Sequence, residues 1–251
     1  MDSMIPRGRG RGRKIVGEGV GRSNIEAPSS VNDVIDKIDI LLLDGGDNVE
    51  VENVYKISEA VIKSQEDMEF VVAAICNSCF SNEAFINIGC KVCCSLWPIK
   101  TDYAKFRSSL LIFLENEYKN REKTYKSSPD RFLNVVKFFA QLSVDLRPIC
   151  TFSSDILLKV QLDYLLMLLE SDNEVHTSLM EKLLRQHGPA LKLQNATFFD
   201  NLLLKLRQKI VDEATGTTRR VTLLLLFEMC ILDFKGLSDN IKLFYQQKLI
   251  Q

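Results

Sequence analysis

The sequence predicts an all-α protein, a superhelical solenoid of about five helical hairpins preceded by a disordered Arg-Gly arm. Three observations lead there. From residue 30 onward apolar residues recur at spacings of three and four, the period of a helix face. Caps and stops divide that pattern into about ten or eleven helices of roughly 12–20 residues, a length that pairs into antiparallel hairpins. No stretch sustains two-residue alternation bounded by turn dipeptides, so no sheet is expected. No crisp repeated motif accompanies the pattern, and the repeat expectation rests on helix length and pairing.

Residues 1–29 form the arm and residues 30–251 the solenoid. Six glycines and almost no apolar periodicity leave the arm unable to offset the entropy of ordering. Six basic groups against two acids give residues 1–24 a net +4, leaving −5 on the rest of a chain whose total is −1. Arg7, Arg9, Arg11, Arg13 and Lys14 suit RNA, because guanidinium groups pair with phosphates and stack on bases while glycine keeps the backbone compliant. A solvated tail or an arginine-methylation substrate is the other reading of the same residues.

Ser30 and Asp33 open the first helix as a capping box; Val31, Val34, Ile35, Ile38, Leu41 and Leu42 make its stripe, and Gly45-Gly46 end it. Asp47 and Glu50 open the second, with Val54, Tyr55, Val61 and Ile62 on one face and Ser58 between them. The third runs from about Asp67, with Phe70 or Val71, Ala74, Ile75 and Cys79 facing inward; the fourth runs from about Glu83 to Trp97, stopped by Pro98. Phe106 to Arg147 reads as a hairpin. Its first helix carries Phe106, Leu110, Phe113 or Leu114 and Tyr118. Ser128 caps the second with Pro129 at its first position, and Phe132, Val135, Val136, Phe139, Leu142 and Leu146 form the buried stripe. Further helices are expected at about Ser154–Ser171, Glu174–His187, Thr197–Ala214, Thr218–Phe234 and Asp239–Leu249, with stops at Gly188-Pro189 and Thr215-Gly216.

Composition excludes several classes. The richest apolar run, Val221 to Leu232, is broken by Thr222 and Glu228 and falls short of the roughly 18–20 residues of a membrane span. The opening residues lack the apolar core of a signal peptide, and seven cysteines are an odd number for a disulfide framework. A cytoplasmic protein with reduced thiols is expected. Cys76/Cys79 and Cys90/Cys93 have a spacing zinc could use, but they lie within helical apolar patterns without the tight turn of a zinc knuckle, and read as small buried hydrophobes. His176 and His187 read as surface or helix-end groups, His187 favouring the dipole of a last turn. No Ser-His-Asp or Cys-His arrangement and no phosphate loop can be built. The carboxylates Glu115 and Glu117, and Asp212 and Glu213, fit solvated helix faces. Neither an enzyme nor a cofactor or metal is expected.

The remaining candidates are charged helix ends: Lys119, Arg121, Lys123, Lys126 and Arg131 around the central corner, and Arg219-Arg220 before a late helix. In a solenoid such corners align along an edge and form a partner surface; for any single residue the other reading is solubilising charge.

Phe106-Arg107, Leu110-Leu111, Glu117-Tyr118, Asp130-Arg131-Phe132 and Phe138-Phe139-Ala140-Gln141-Leu142 together resemble the middle domain of eukaryotic initiation factor 4 gamma, shared by related translation adaptors. Arg219-Arg220-Val221 leading into Leu223-Leu224 is similar to that family's basic start to a late helix, and the resemblance covers about Ser30–Gln247. It implies a HEAT-like solenoid of five repeats and a non-enzymatic scaffold. The implied partners are translation initiation factors, either initiation factor 3 or a DEAD-box helicase, and RNA. The arm placed before the domain resembles family members in which contact with the cap-binding factor runs through segments outside the solenoid.

Overall fold

The structure, a computed structural model, describes residues 30–249 except Gly46 and Tyr103, with the backbone alone at Asn48. The arm residues Arg7, Arg9, Arg11, Arg13 and Lys14 lie outside the described residues. Twelve α-helices follow one another among the described residues: α1 (Val31–Asp44), α2 (Asn48–Val61), α3 (Gln65–Ser81), α4 (Ile86–Leu96), α5 (Phe106–Lys119), α6 (Arg121–Ser127), α7 (Pro129–Asp145), α8 (Thr151–Glu170), α9 (Glu174–Gln194), α10 (Ala196–Val211), α11 (Thr217–Ile231) and α12 (Asp239–Leu249). A 3₁₀ turn at Glu83–Phe85 leads into α4, and an isolated bridge between Lys100 and Lys105 is the single β pairing among these residues.

The helices stack as an all-α solenoid. One row runs α1, α3, α5, α8, α10 and the other α2, α4, α7, α9, α11, with neighbours packing along each row and α12 closing on α11. Capping sets the entries. Ser30 and Ser64, with ψ 162° and 168°, and Asp47 aim their side chains at N3 amides and complete capping boxes. Gly45, at φ 70°, ends α1 in the left-handed region where a side chain is strained.

Four sequence expectations are corrected. The central hairpin is interrupted: the chain breaks at Asn120, and α6 intervenes between α5 and α7. As a result α5 packs mainly on α3, while α7 packs on α3, α4 and α8. Ser128 does start α7, but its hydroxyl makes no cap. Its amide closes α6 on the Thr124 carbonyl, its own carbonyl opens α7 at Phe132, and sharing two helices holds ψ at 79°, away from cap geometry.

The expected stop at Gly188-Pro189 lies inside α9, which continues to Gln194. An internal proline costs about 3 kcal/mol or more. Burial of His187, Gly188 and Leu191 in the same turns offsets that cost. Phe234 lies so close that a Cβ on Gly188 would stand 2.1 Å from its ring. The histidines are buried rather than at surface: His176 is 4% exposed among Tyr125 and Phe132, and His187 is 8% exposed because the helix does not end there. In α3, Val71 is the inward residue and Phe70 is exposed.

Candidate functional site

The corner formed by the end of α5, α6 and the start of α7 is built on rings. Tyr125 on α6 stacks edge-on against Phe132 with centroids 5.0 Å apart, and Phe132 in turn meets Tyr164 at 5.7 Å. Phe139 packs on Tyr164 from the other side at 5.5 Å, and His176 completes the cluster. Such contacts fix α6, a seven-residue helix too short to be stable alone. Burial pushes the Tyr164 hydroxyl above, and the His176 imidazole below, their ordinary values, so both sit neutral beneath the corner.

The two arginines of the corner are engaged internally. Arg121 lies 4.3 Å over the Tyr118 ring and donates to the Tyr118 carbonyl at 3.0 Å, while the Tyr118 hydroxyl donates to Asp163 on α8. Arg131 pairs with Glu117 at 3.0 Å, donates to Asn77 at 3.2 Å and lies 4.9 Å over Phe80. These bonds tie α3, α5, α7 and α8 together. The lysines face water. Lys119 makes only an exposed pair with Glu115 one turn back, and Lys123 and Lys126 have no ion partner among the described residues. With Asn120, Glu122 and Ser127 the three lysines line a shallow concavity.

Arg219 and Arg220, expected as partner contacts, make hydrogen bonds within the fold. Arg219 is 7% exposed, pairs with Asp172 and donates to the Leu169 carbonyl at 2.6 Å, satisfying an orphan acceptor at the end of α8. Arg220 donates to the carbonyls of Asp212 and Thr215, both at 2.9 Å, and closes the α10–α11 link. Sequence pattern could not separate these roles, because a basic pair at a helix start looks alike whether it faces water or a neighbouring carbonyl.

Three other corners on this edge are acidic: Asp44 and Asp47 at α1–α2, Glu83 at α3–α4, and Glu170, Asp172 and Glu174 at α8–α9; at α10–α11 Asp212 and Glu213 stand beside Arg219 and Arg220. Glu83 pairs with Lys137 and Glu170 with Lys209. The lysine corner is therefore a positive concavity on a negative edge.

The cysteine pairs belong to the core. Cys76, Cys79, Cys90 and Cys93 are fully buried, and the Cys79 and Cys90 thiols donate to the carbonyls of Phe85 and Phe138. Burial pushes the Cys76, Cys79 and Cys90 thiols up; for Cys93 the hydrogen bond with Cys76 acts first and burial second. Among the described residues no group of three or more His, Cys, Asp or Glu is placed to hold a metal ion, and neither histidine makes a hydrogen bond. No described helix is long and apolar enough to cross a membrane.

Sequence reasoning missed Tyr125 as the anchor of α6, and it passed over Lys100, Lys105, Arg107 and Arg147 at the links between successive pairs. Their nearness to helix boundaries was the available signal. In comparisons with known proteins, the chain matches no family model and no curated protein.

Proposed function

We propose that this chain is a non-enzymatic adaptor of translation regulation, acting in the cytoplasm. Its solenoid docks a component of the initiation machinery, initiation factor 3 or a DEAD-box helicase, and the Arg-Gly arm adds salt-sensitive RNA affinity. The observation that carries this reading is the lysine corner. Lys119 at the end of α5 makes only an exposed pair with Glu115, and Lys123 and Lys126 stand on α6, seated on a ring cluster, with no ion partner among the described residues, so the corner offers positive charge to an acidic partner surface. The likeness of the core pattern to the initiation factor 4 gamma middle domain supplies the class of partner.

The test is a nuclease-treated pull-down offering initiation factor 3, a DEAD-box helicase and RNA in parallel. Retention of one protein factor by the wild-type chain, and its loss on combined charge reversal of Lys119, Lys123 and Lys126 to Glu, is expected. Capture of neither factor sinks the reading. A second reading, an RNA-processing or mRNA-decay module whose solenoid binds RNA directly, is favoured by uncompensated cations on the opposite edge.

A further inference from the structure

The second long edge of the solenoid, where each helix pair passes to the next, has the opposite charge character. Its central links, α4–α5 and α7–α8, carry Lys100, Lys105, Arg107 and Arg147, all exposed and none with an ion partner among the described residues. They are neighbouring links: α4 packs on α7, and α5 meets α8 through the Tyr118–Asp163 hydrogen bond. On the same edge Gln65, opening α3, donates to Ser109 near the start of α5 at 3.2 Å. Adjacent links are separated by one helix spacing, about 8–10 Å. Asp102 and Asp145 are the acids at these two links among the described residues; Asp145 is half-buried and receives a hydrogen bond from Gln141 at 2.9 Å.

Two features separate this edge from ordinary solubilising charge. The first is the α4–α5 loop, which pins two lysines face to face. The Thr101 amide donates to Ala104 at 2.8 Å and the Phe106 amide to Ile99 at 3.0 Å, so Lys100 and Lys105 are the directly opposed, non-hydrogen-bonded pair of an antiparallel bridge. Side chains in such a pair start about 4.5–5.5 Å apart, and like charges placed there destabilise unless an anion lies between them. The second is Phe152, 74% exposed in the first turn of α8, with its neighbour Ile149 48% exposed. Phe152 opens α8 directly after the α7–α8 link that carries Arg147, so this exposed residue stands on the same edge as the cations.

We infer that Lys100, Lys105, Arg107 and Arg147 with Phe152 form a binding site for single-stranded RNA. The cations hold phosphates along the edge and the phenyl ring stacks on a base. An acidic peptide would use the charges but has no need of the ring. The inference rests on reading the chain as RNA-associated and adds to the arm a folded surface that keeps the strand on the edge opposite the lysine corner.

The experiment titrates a labelled single-stranded oligouridylate with the full chain at several salt concentrations. Changing Lys100, Lys105, Arg107 and Arg147 together to Ala is expected to weaken binding at least about tenfold at low salt. The slope of log affinity against log salt should flatten by about 3, the share of four single-strand phosphate contacts. Phe152→Ala alone is expected to weaken binding by about five-fold or more with the slope unchanged. All five side chains are exposed and Lys100 and Lys105 repel each other, so none of these changes should lower the melting temperature. A quadruple variant that binds like wild type overturns the site. So does polyglutamate binding with the same sensitivity to the quadruple change and none to Phe152→Ala, which would assign the edge to an acidic protein. Substituting Arg7, Arg9, Arg11, Arg13 and Lys14 removes the arm's contribution separately. The oligouridylate result is independent of whether the lysine corner retains a protein factor.

Discussion

Replacing Arg219 should unfold the protein more readily without touching recognition, and the cost can be worked from its surroundings. The guanidinium makes two contacts of unequal value. Its bond to the Leu169 carbonyl, 2.6 Å and buried, is a charged hydrogen bond worth about 1.5–3 kcal/mol, and its loss orphans an acceptor at the end of α8. Its pair with Asp172 is worth about 0–1 kcal/mol, because the Asp172 side chain is 81% exposed and water screens it. Arg219→Ala should therefore cost about 2–3 kcal/mol, a fall of roughly 5–10 °C in melting temperature for a domain of this size. Asp172→Ala should cost less than about 1 kcal/mol. Arg219→Lys should fall between, since an ammonium lacks the fork that reaches both partners. Urea denaturation followed by circular dichroism measures all three. If Arg219→Ala leaves stability intact while weakening a partner, Arg219 is the exposed contact that the sequence pattern suggested and the clamp is wrong.

Gly188→Ala puts a methyl on the Phe234 ring; overpacking should outweigh the gain in helix propensity and destabilise by about 1–2 kcal/mol, and Phe234→Leu in the same chain should recover part of the loss. His176 and His187 are held below their ordinary value of 6.5 by burial. Above about pH 6.5 both are neutral folded or unfolded and add no pH dependence; below it the unfolded chain takes up protons first, so stability falls until the pH passes the lower folded-state values. Each contributes at most about 1.4 kcal/mol per pH unit in that window, and His176→Phe should flatten the acid limb of a stability–pH curve. Because the four central thiols are buried in the core, a zinc chelator should leave helicity and melting temperature unchanged; lost helicity would mean that a metal holds α3 to α4.

Local signals were legible where local chemistry decides the outcome. The boxes at Ser30 and Asp47, the glycine after α1 and the bounds of α12 follow from residues within one turn, and the structure places them as read. The buried stripe of α7 was equally plain, since Phe132, Val135, Val136, Phe139, Leu142 and Leu146 share a face whatever they pack against. Legibility failed where a distant partner decides. Nothing within a turn of Pro189 announces that Phe234 will pack on Gly188 and carry α9 onward. Arg219 and Lys123 are both bases at helix starts, yet one reaches the carbonyl of Leu169 fifty residues away and the other reaches water. The corner was therefore located from sequence, while its division into clamping arginines and exposed lysines needed the packed helices around it.

The central claim, that the α6 corner is a docking surface, is tested most directly by one affinity. The initiation factor retained in the pull-down is titrated against the wild-type chain and against the Lys119→Glu, Lys123→Glu, Lys126→Glu variant at matched melting temperature. Desolvated charge pairs at an interface make a loss of at least about tenfold the expected result, with the association rate falling most and the difference shrinking at high salt. Equal affinity of the two chains would contradict the account and move the partner surface elsewhere on the solenoid.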